Sequence, residues 1–203
     1  SYSVTGVQTC ALPIWDDESE KRWHRAGDAW NGGTLKGIAG KIGYLKELGI
    51  TAVWISPVFK QAAWQDTYHG YGIQNFLEID PHFGTKKDLK DLAAEAHRNG
   101  IHIILDVILN HTGDVFAYQE EAPVFTGAEH PLRGFRNGRG EPVIPVEGYD
   151  PETLGPEDGV LPRELMNPEA FSRKGSIANW EAYPDYIQGD FYSLKNIDRK
   201  SVV

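Results

Sequence analysis

Apolar residues recur at helical spacing as Leu35, Ile38, Ile42, Leu45 and Leu48 behind Thr34, and the run stops at Gly49. Thr34 has the residue type of an N-cap, so this spacing predicts a helix with one apolar face ending at the glycine. A short apolar run from Ile50 to Ile55 follows directly and predicts a strand. The same grammar then returns. Thr85 with Asp88 three residues on reads as a capping box, Leu89, Leu92 and Ala96 share a helical face, and Asn99-Gly100 ends it. Ile101 to Leu109 is the second, longer strand. Helix, glycine and near-continuous apolar strand, twice over, is the pattern of parallel α/β units whose strands are buried on both faces.

The pattern changes after about residue 114. Nine of the twelve prolines fall between Val115 and Asp190, with many glycines and no sustained periodicity. So long a stretch exceeds a loop in a compact domain, and it predicts a small irregular insertion domain on the C-terminal end of the strand 101–109. Gly37, Gly40 and Gly43 follow no predicted strand, and neither G-x-G-x-x-G nor the P-loop pattern occurs. They read as small contacts against a sheet.

Composition narrows the function classes. The 203 residues include 20 basic and 29 acidic side chains, a net charge of −9 that speaks against a nucleic-acid partner. With 40% hydrophobic and 11% aromatic residues there is material for a real core. One cysteine, Cys10, leaves no internal disulfide and no Cys-based zinc cluster. No apolar run reaches the 18 or so residues that span a bilayer, so no membrane partner is expected. Ser1 to Ile14 lacks the basic start and long apolar stretch of a signal peptide, and the chain does not begin with Met. A soluble chain is expected, with its compartment left open between cytoplasm and secretion.

Three features could carry chemistry. Asp106 interrupts the apolar strand, and a buried carboxylate must be ion-paired, metal-bound or lining a site. Asn110 and His111 close the same strand at its C-terminal end, where ligands gather in parallel α/β folds. Tyr68-His69-Gly70-Tyr71-Gly72 offers flat aromatic faces with polar edges, a surface suited to sugars.

The segments 45–57 (Leu-Lys-Glu-Leu-Gly-Ile-Thr-Ala-Val-Trp-Ile-Ser-Pro), His69-Gly-Tyr71, Ile79-Asp-Pro-His-Phe-Gly84 and Asp106-Val-Ile-Leu-Asn-His111 together resemble the catalytic barrel of the α-amylase superfamily, glycoside hydrolase family 13. The tail 189–198 is similar to the family's motif near the end of its insertion domain, with Leu194-Lys-Asn-Ile-Asp198 where Leu-Pro-Asp-Leu-Asp is usual. The resemblance implies an α/β fold: a partial TIM (β/α)8 barrel of early strands and helices, with an irregular insertion domain after the third barrel strand. It implies residues 15–113 as the barrel part, with a distorted first strand near Ile14, and 114–198 as the insertion domain. Residues 1–14 and 199–203 do not resemble the family and are expected to be a non-native leader and tail.

The implied activity is that of a retaining glycosidase, or a related transglycosylase, on α-glucans or oligosaccharides. By resemblance Tyr71 is the platform under the sugar, His69 flanks it, and His111 binds the sugar's primary hydroxyl. Asp106 matches a structural aspartate that holds an arginine, and Asn110 and Asp198 match oxygen ligands of a structural calcium. Retaining hydrolysis needs two carboxylates roughly 5 Å apart, and the family takes both from later strands. The resemblance therefore implies an inactive N-terminal fragment. Two other readings stand beside it: a non-catalytic amylase-like protein for binding or assembly, and a metal-dependent barrel hydrolase using His69, Asp106 and His111.

Overall fold

The computed structural model describes residues 32–198 together with Glu18, Lys21, His24, Arg25, Ala29 and Trp30. The expected leader, Cys10, the first strand near Ile14 and the tail 199–203 lie outside the described residues. The chain divides into two compact units, residues 1–58 with 78–107 and residues 59–77 with 108–203.

In the first unit the expected single helix is two, α1 (Leu35–Ala39) and α2 (Ile42–Glu47). Thr34 Oγ1 accepts the Gly37 N–H at 3.0 Å and caps α1. Gly40 then closes it, its N–H turned back to the Lys36 carbonyl. Three glycines in nine residues lower helix propensity enough, by roughly 1 kcal/mol each, for a break to be tolerated. Leu35, Ile42 and Leu45 still share one buried face. At Gly49 the backbone takes φ 78°, a conformation glycine adopts without a Cβ penalty, and β1 (Ala52–Ile55) begins.

Next come β2 (Phe59–Gln61) and β3 (Ile73–Ile79), which pair with each other. Only the last two residues of β3 count in the first unit. The helix α3 (Lys86–Arg98) carries the predicted capping box: the Asp88 N–H donates to Thr85 Oγ1 and the Thr85 N–H to Asp88 Oδ2 at 2.9 Å. It leads through Gly100 into β4 (His102–Leu105), which lies parallel to β1 with Val53 opposite Ile103 and Ile55 opposite Leu105.

Two expectations are corrected here. The second strand ends at Leu105 because its partner ends at Ile55, whose carbonyl accepts the last ladder bond from the Asp106 N–H. The strands are also not buried on both faces. Val53 and Ile55 pack with Leu35, Leu45, Leu92 and Ala96 from the helices, whereas Trp54 is 69% exposed and Ile104 46% exposed. Among the described residues the strands form four two-stranded sheets and no closed barrel. The α/β character rests on the parallel β1–β4 pair.

The second unit contains β5 (His111–Thr112), β6 (Phe116–Tyr118), β7 (Leu132–Phe135), α4 (Asp185–Gln188) and β8 (Lys195–Asn196). β6 and β7 are antiparallel, and so are β5 and β8, with His111 opposite Asn196 and Thr112 opposite Lys195. The stretch without periodicity holds a packed aromatic core. Phe116 sits edge-on to Tyr118, Phe135 and Phe171 with ring centroids 5.3, 6.1 and 5.0 Å away. Such arrangements add to the burial of the rings themselves. Its prolines start short turns: Pro151 and Pro168 each follow a capping side chain, Asp150 and Asn167, that accepts an N–H two residues on.

The capping box gives a direct test of the first unit. Thr85→Ala removes the oxygen that receives the Asp88 N–H, and should destabilise the unit by about 1 kcal/mol. Urea unfolding followed by far-UV circular dichroism measures it. An unchanged midpoint would mean that α3 is held by packing alone.

Candidate functional site

His69, Tyr71 and His111 all belong to the second unit, and the chain draws them together by close backbone approach. Gly70 takes φ 87° and turns the loop. A Cβ on Gly72 would stand 2.6 Å from Thr67 Cγ2, and one on Gly113 would stand 2.6 Å from the Gly72 carbonyl oxygen. Only glycine fits at either place. The Gly113 N–H then donates to Ile73 O at 2.7 Å and ties the end of β5 to β3.

Within this frame the main chain of Tyr71 meets both histidines. Its N–H donates to His69 Nδ1 at 3.0 Å, which puts the ring proton of His69 on Nε2. Its carbonyl lies 3.1 Å from His111 Nε2, an acceptor that requires the proton there too. The His69 and Tyr71 rings stack at 5.7 Å with planes 24° apart, and Tyr68 meets His69 edge-on at 5.5 Å. His111 Nδ1 is buried with no hydrogen-bond partner among the described residues.

Both imidazoles are therefore biased towards the neutral form. Burial pulls the His111 pKa below its ordinary value; the Tyr71 carbonyl opposes this and the neighbouring His69 charge adds to it. Burial also lowers His69, against the pull of Asp66. A neutral imidazole with its proton on Nε2 is a hydrogen-bond donor of fixed direction. Paired with an aromatic face, it suits a polyhydroxylated ring.

The other expected residues stand apart in kind. Asn110 and Asp198 come close through the β5–β8 pairing, where the Asn110 carbonyl accepts the Ile197 N–H at 2.9 Å and the Asp198 N–H donates to Ala170 O. Among the described residues no group of three or more His, Cys, Asp or Glu side chains is placed to hold a metal ion. The reading as a metal-dependent hydrolase through His69, Asp106 and His111 thus finds no ligand cluster. Asp106 lies in the first unit, one residue past β4, and is partly exposed rather than buried. The strand ends before it, so it escapes the core; its Oδ2 accepts from the Trp54 indole N–H at 3.4 Å.

Two polar residues had no sequence signal of their own. Gln61, 2% exposed, reaches the backbone of the Tyr71 loop, and Lys195, 6% exposed, sits between carboxylates. Besides near partners at Phe59 and Asp190, they reach Gly70 and Gly72, nine and eleven residues from Gln61, and Asp114, 81 residues from Lys195, beyond any local pattern.

The Alpha amylase, catalytic domain family model matches residues 17–139. The chain is 47% identical over 198 residues to an alpha-amylase of Streptomyces lividans, covering 86% of this chain and 21% of that protein. Among solved structures it resembles the alpha-amylase from Geobacillus thermoleovorans complexed with acarbose, at 30% identity and a TM-score of 0.56, over 85% of this chain and 29% of that one. It also resembles a cyclomaltodextrin glucanotransferase with a three-domain ABC distribution, at 27% identity and a TM-score of 0.57, over 87% of this chain and 33% of that one. The chain thus spans about a fifth of the length of the Streptomyces relative.

A proton titration of the histidine rings by NMR tests the geometry. His111 should titrate below the ordinary value near 6.5, because protonation places charge on a buried, unpartnered Nδ1. The sign for stability follows. A histidine whose folded pKa is lowered favours the folded state above the unfolded value and loses that contribution as pH falls through the folded one. A midpoint at or above 6.5 would show that the ring is not held as described.

Proposed function

From the premise that this chain belongs to the alpha-amylase catalytic-domain family, we propose that it forms the sugar-binding part of a glycoside hydrolase acting on α-glucosidic bonds of starch-like glucans or oligosaccharides. One observation carries the reading: His69 and His111 meet at the backbone of one residue, Tyr71, on the two peptide planes that flank it, within the matched segment. Tyr71 offers a ring face for the C–H side of a sugar. His69 directs its Nε2–H outward from a ring whose Nδ1 is already occupied. His111 backs the Tyr71 carbonyl, and a ring reoriented by ligand would carry the same donor to a hydroxyl.

These residues bind and orient; none of them is a carboxylate. A retaining mechanism takes its nucleophile and general acid from two carboxyl groups about 5 Å apart. In this proposal those groups belong to the longer protein, and the 203-residue chain alone turns nothing over. Residues 15–113 form the barrel part, 114–198 the insertion domain, and Asp106 is a structural carboxylate at the strand end. Calcium enters only in outline. Asn110 and Asp198 would give it two oxygen donors, while a calcium ion takes six to eight. Among the described residues no group of three or more His, Cys, Asp or Glu side chains surrounds them.

The non-catalytic alternative, a binding or assembly protein, differs in one outcome. A protein carrying this segment at the full length of its relatives should hydrolyse soluble starch or aryl α-glucosides. Glucan binding without turnover would favour the alternative.

In that full-length protein His111→Ala should lower kcat/KM by about one to three decades while the fold stays intact. This corresponds to about 1.4–4 kcal/mol of transition-state binding. Equal kinetics in the variant and its parent would place His111 outside the site.

A further inference from the structure

Gln61 closes β2 with an amide that is 2% exposed. A primary amide presents two N–H donors at one end and acceptor lone pairs at the other, and burial leaves it only protein partners. Its Nε2–H groups donate to the Phe59 carbonyl at 2.8 Å and the Gly70 carbonyl at 3.0 Å. Its Oε1 accepts the Gly72 N–H at 2.7 Å. Two carbonyls face the nitrogen and one N–H faces the oxygen, so the amide fits in one orientation only.

The partners at Gly70 and Gly72 bracket Tyr71. Its remaining main-chain groups face the two histidines, the N–H to His69 and the C=O to His111. Each peptide plane beside Tyr71 is thus gripped from two sides, by Gln61 and by an imidazole. Rotating either plane would break a bond to the amide and one to a histidine together.

We infer that Gln61 is a positioning residue: it holds the peptide planes flanking Tyr71, and through them the Tyr71 ring and the imidazoles of His69 and His111, in the arrangement that receives a sugar. This rests on the carbohydrate reading given above. Gln61 itself is buried behind the loop and touches no ligand. A merely structural glutamine would stabilise the second unit without controlling the imidazoles, and that difference is measurable.

The test uses the full 203-residue chain and two variants. Gln61→Met matches the length and removes every polar atom. Gln61→Glu keeps an acceptor for the Gly72 N–H and loses both donors. Amide hydrogen exchange at Gly72 should rise by about tenfold or more in the Met variant and stay near wild type in the Glu variant. The NMR midpoint of His111 should rise towards its ordinary value in both. Should the Met variant not fold, Gln61→Asn, whose amide stops one methylene short, takes its place with the same readouts, and in the wild type the Gln61 side-chain amide protons should exchange slowly. Free exchange of those protons overturns the inference. So do unchanged His111 signals in the folded variants with a lowered urea midpoint, which would leave Gln61 a stabilising role only. Maltotriose is the probe for the underlying reading, and it should shift the Tyr71 ring signals of the wild type. Its failure to do so, with His111 still responding to the Gln61 variants, would overturn the carbohydrate reading while the hold on His111 stood.

Discussion

In the second unit the Lys195 ammonium lies 3.2 Å from the Asp114 carboxylate and 3.4 Å from that of Asp190, with the Phe116 and Tyr118 rings 5.0 and 4.9 Å from it. Arg136 reaches Asp114 from the other side at 3.1 Å, so two cations face two anions. Asp190 also accepts the Tyr118 hydroxyl at 2.8 Å and the Asn196 N–H at 3.0 Å. Burial pushes the Asp190 carboxyl upward, and Lys195 pulls it back. Burial, reinforced by the Asp190 charge, pushes the Tyr118 hydroxyl up as well. Taking one partner from such a group costs about 3–5 kcal/mol, because an uncompensated charge stays behind. That is a large fraction of a domain's whole stability.

This ionic group fixes the strand that carries His111. Lys195 stands opposite Thr112 in the β5–β8 pair, and Asp114 follows Thr112 by two residues. The charges therefore hold β5 at its pairing partner and just past its end. From there Gly113 ties to Ile73, and the loop bearing His69 and Tyr71 runs directly into that strand. The two histidines depend on this rigidity. Burial is what lowers both pKa values, and backbone bonds fix the ring positions; a loosely held loop would give them neither.

What the sequence made legible was local. The Thr85–Asp88 box, the glycine helix ends and the short β1 strand depend on residues within four positions of each other, and each appears as expected. The break at Gly40 was written in the glycine spacing but outweighed by the continuous apolar face. Strand burial was misjudged for a different reason. An apolar run shows what a face could bury, whereas Trp54 and Ile104 depend on what else is present to cover them. Asp106 followed the same error: placed inside a long strand it would be buried, but β1 is four residues long and stops pairing before it. Gln61 and Lys195 were invisible because a polar residue among mixed neighbours carries no mark of its distant partners.

The candidate site uses main-chain atoms where a specificity pocket usually uses side chains. The Gly70 carbonyl, both polar groups of the Tyr71 backbone and the Gly72 N–H are the groups that Gln61, His69 and His111 contact. None of these bonds involves the phenol of Tyr71. The frame and the platform are therefore separable: the hydrogen bonds set where the residue at 71 stands, and its side chain sets what it presents. An aromatic exchange at 71 alters the stacking surface and leaves these main-chain donors and acceptors in place. A change at Gly72 does the reverse, since a Cβ there meets Thr67 and moves the frame whatever ring it carries. On the proposed carbohydrate reading, the ring presented at 71 is the place where preference can vary while the buried amide of Gln61 keeps the loop's backbone frame.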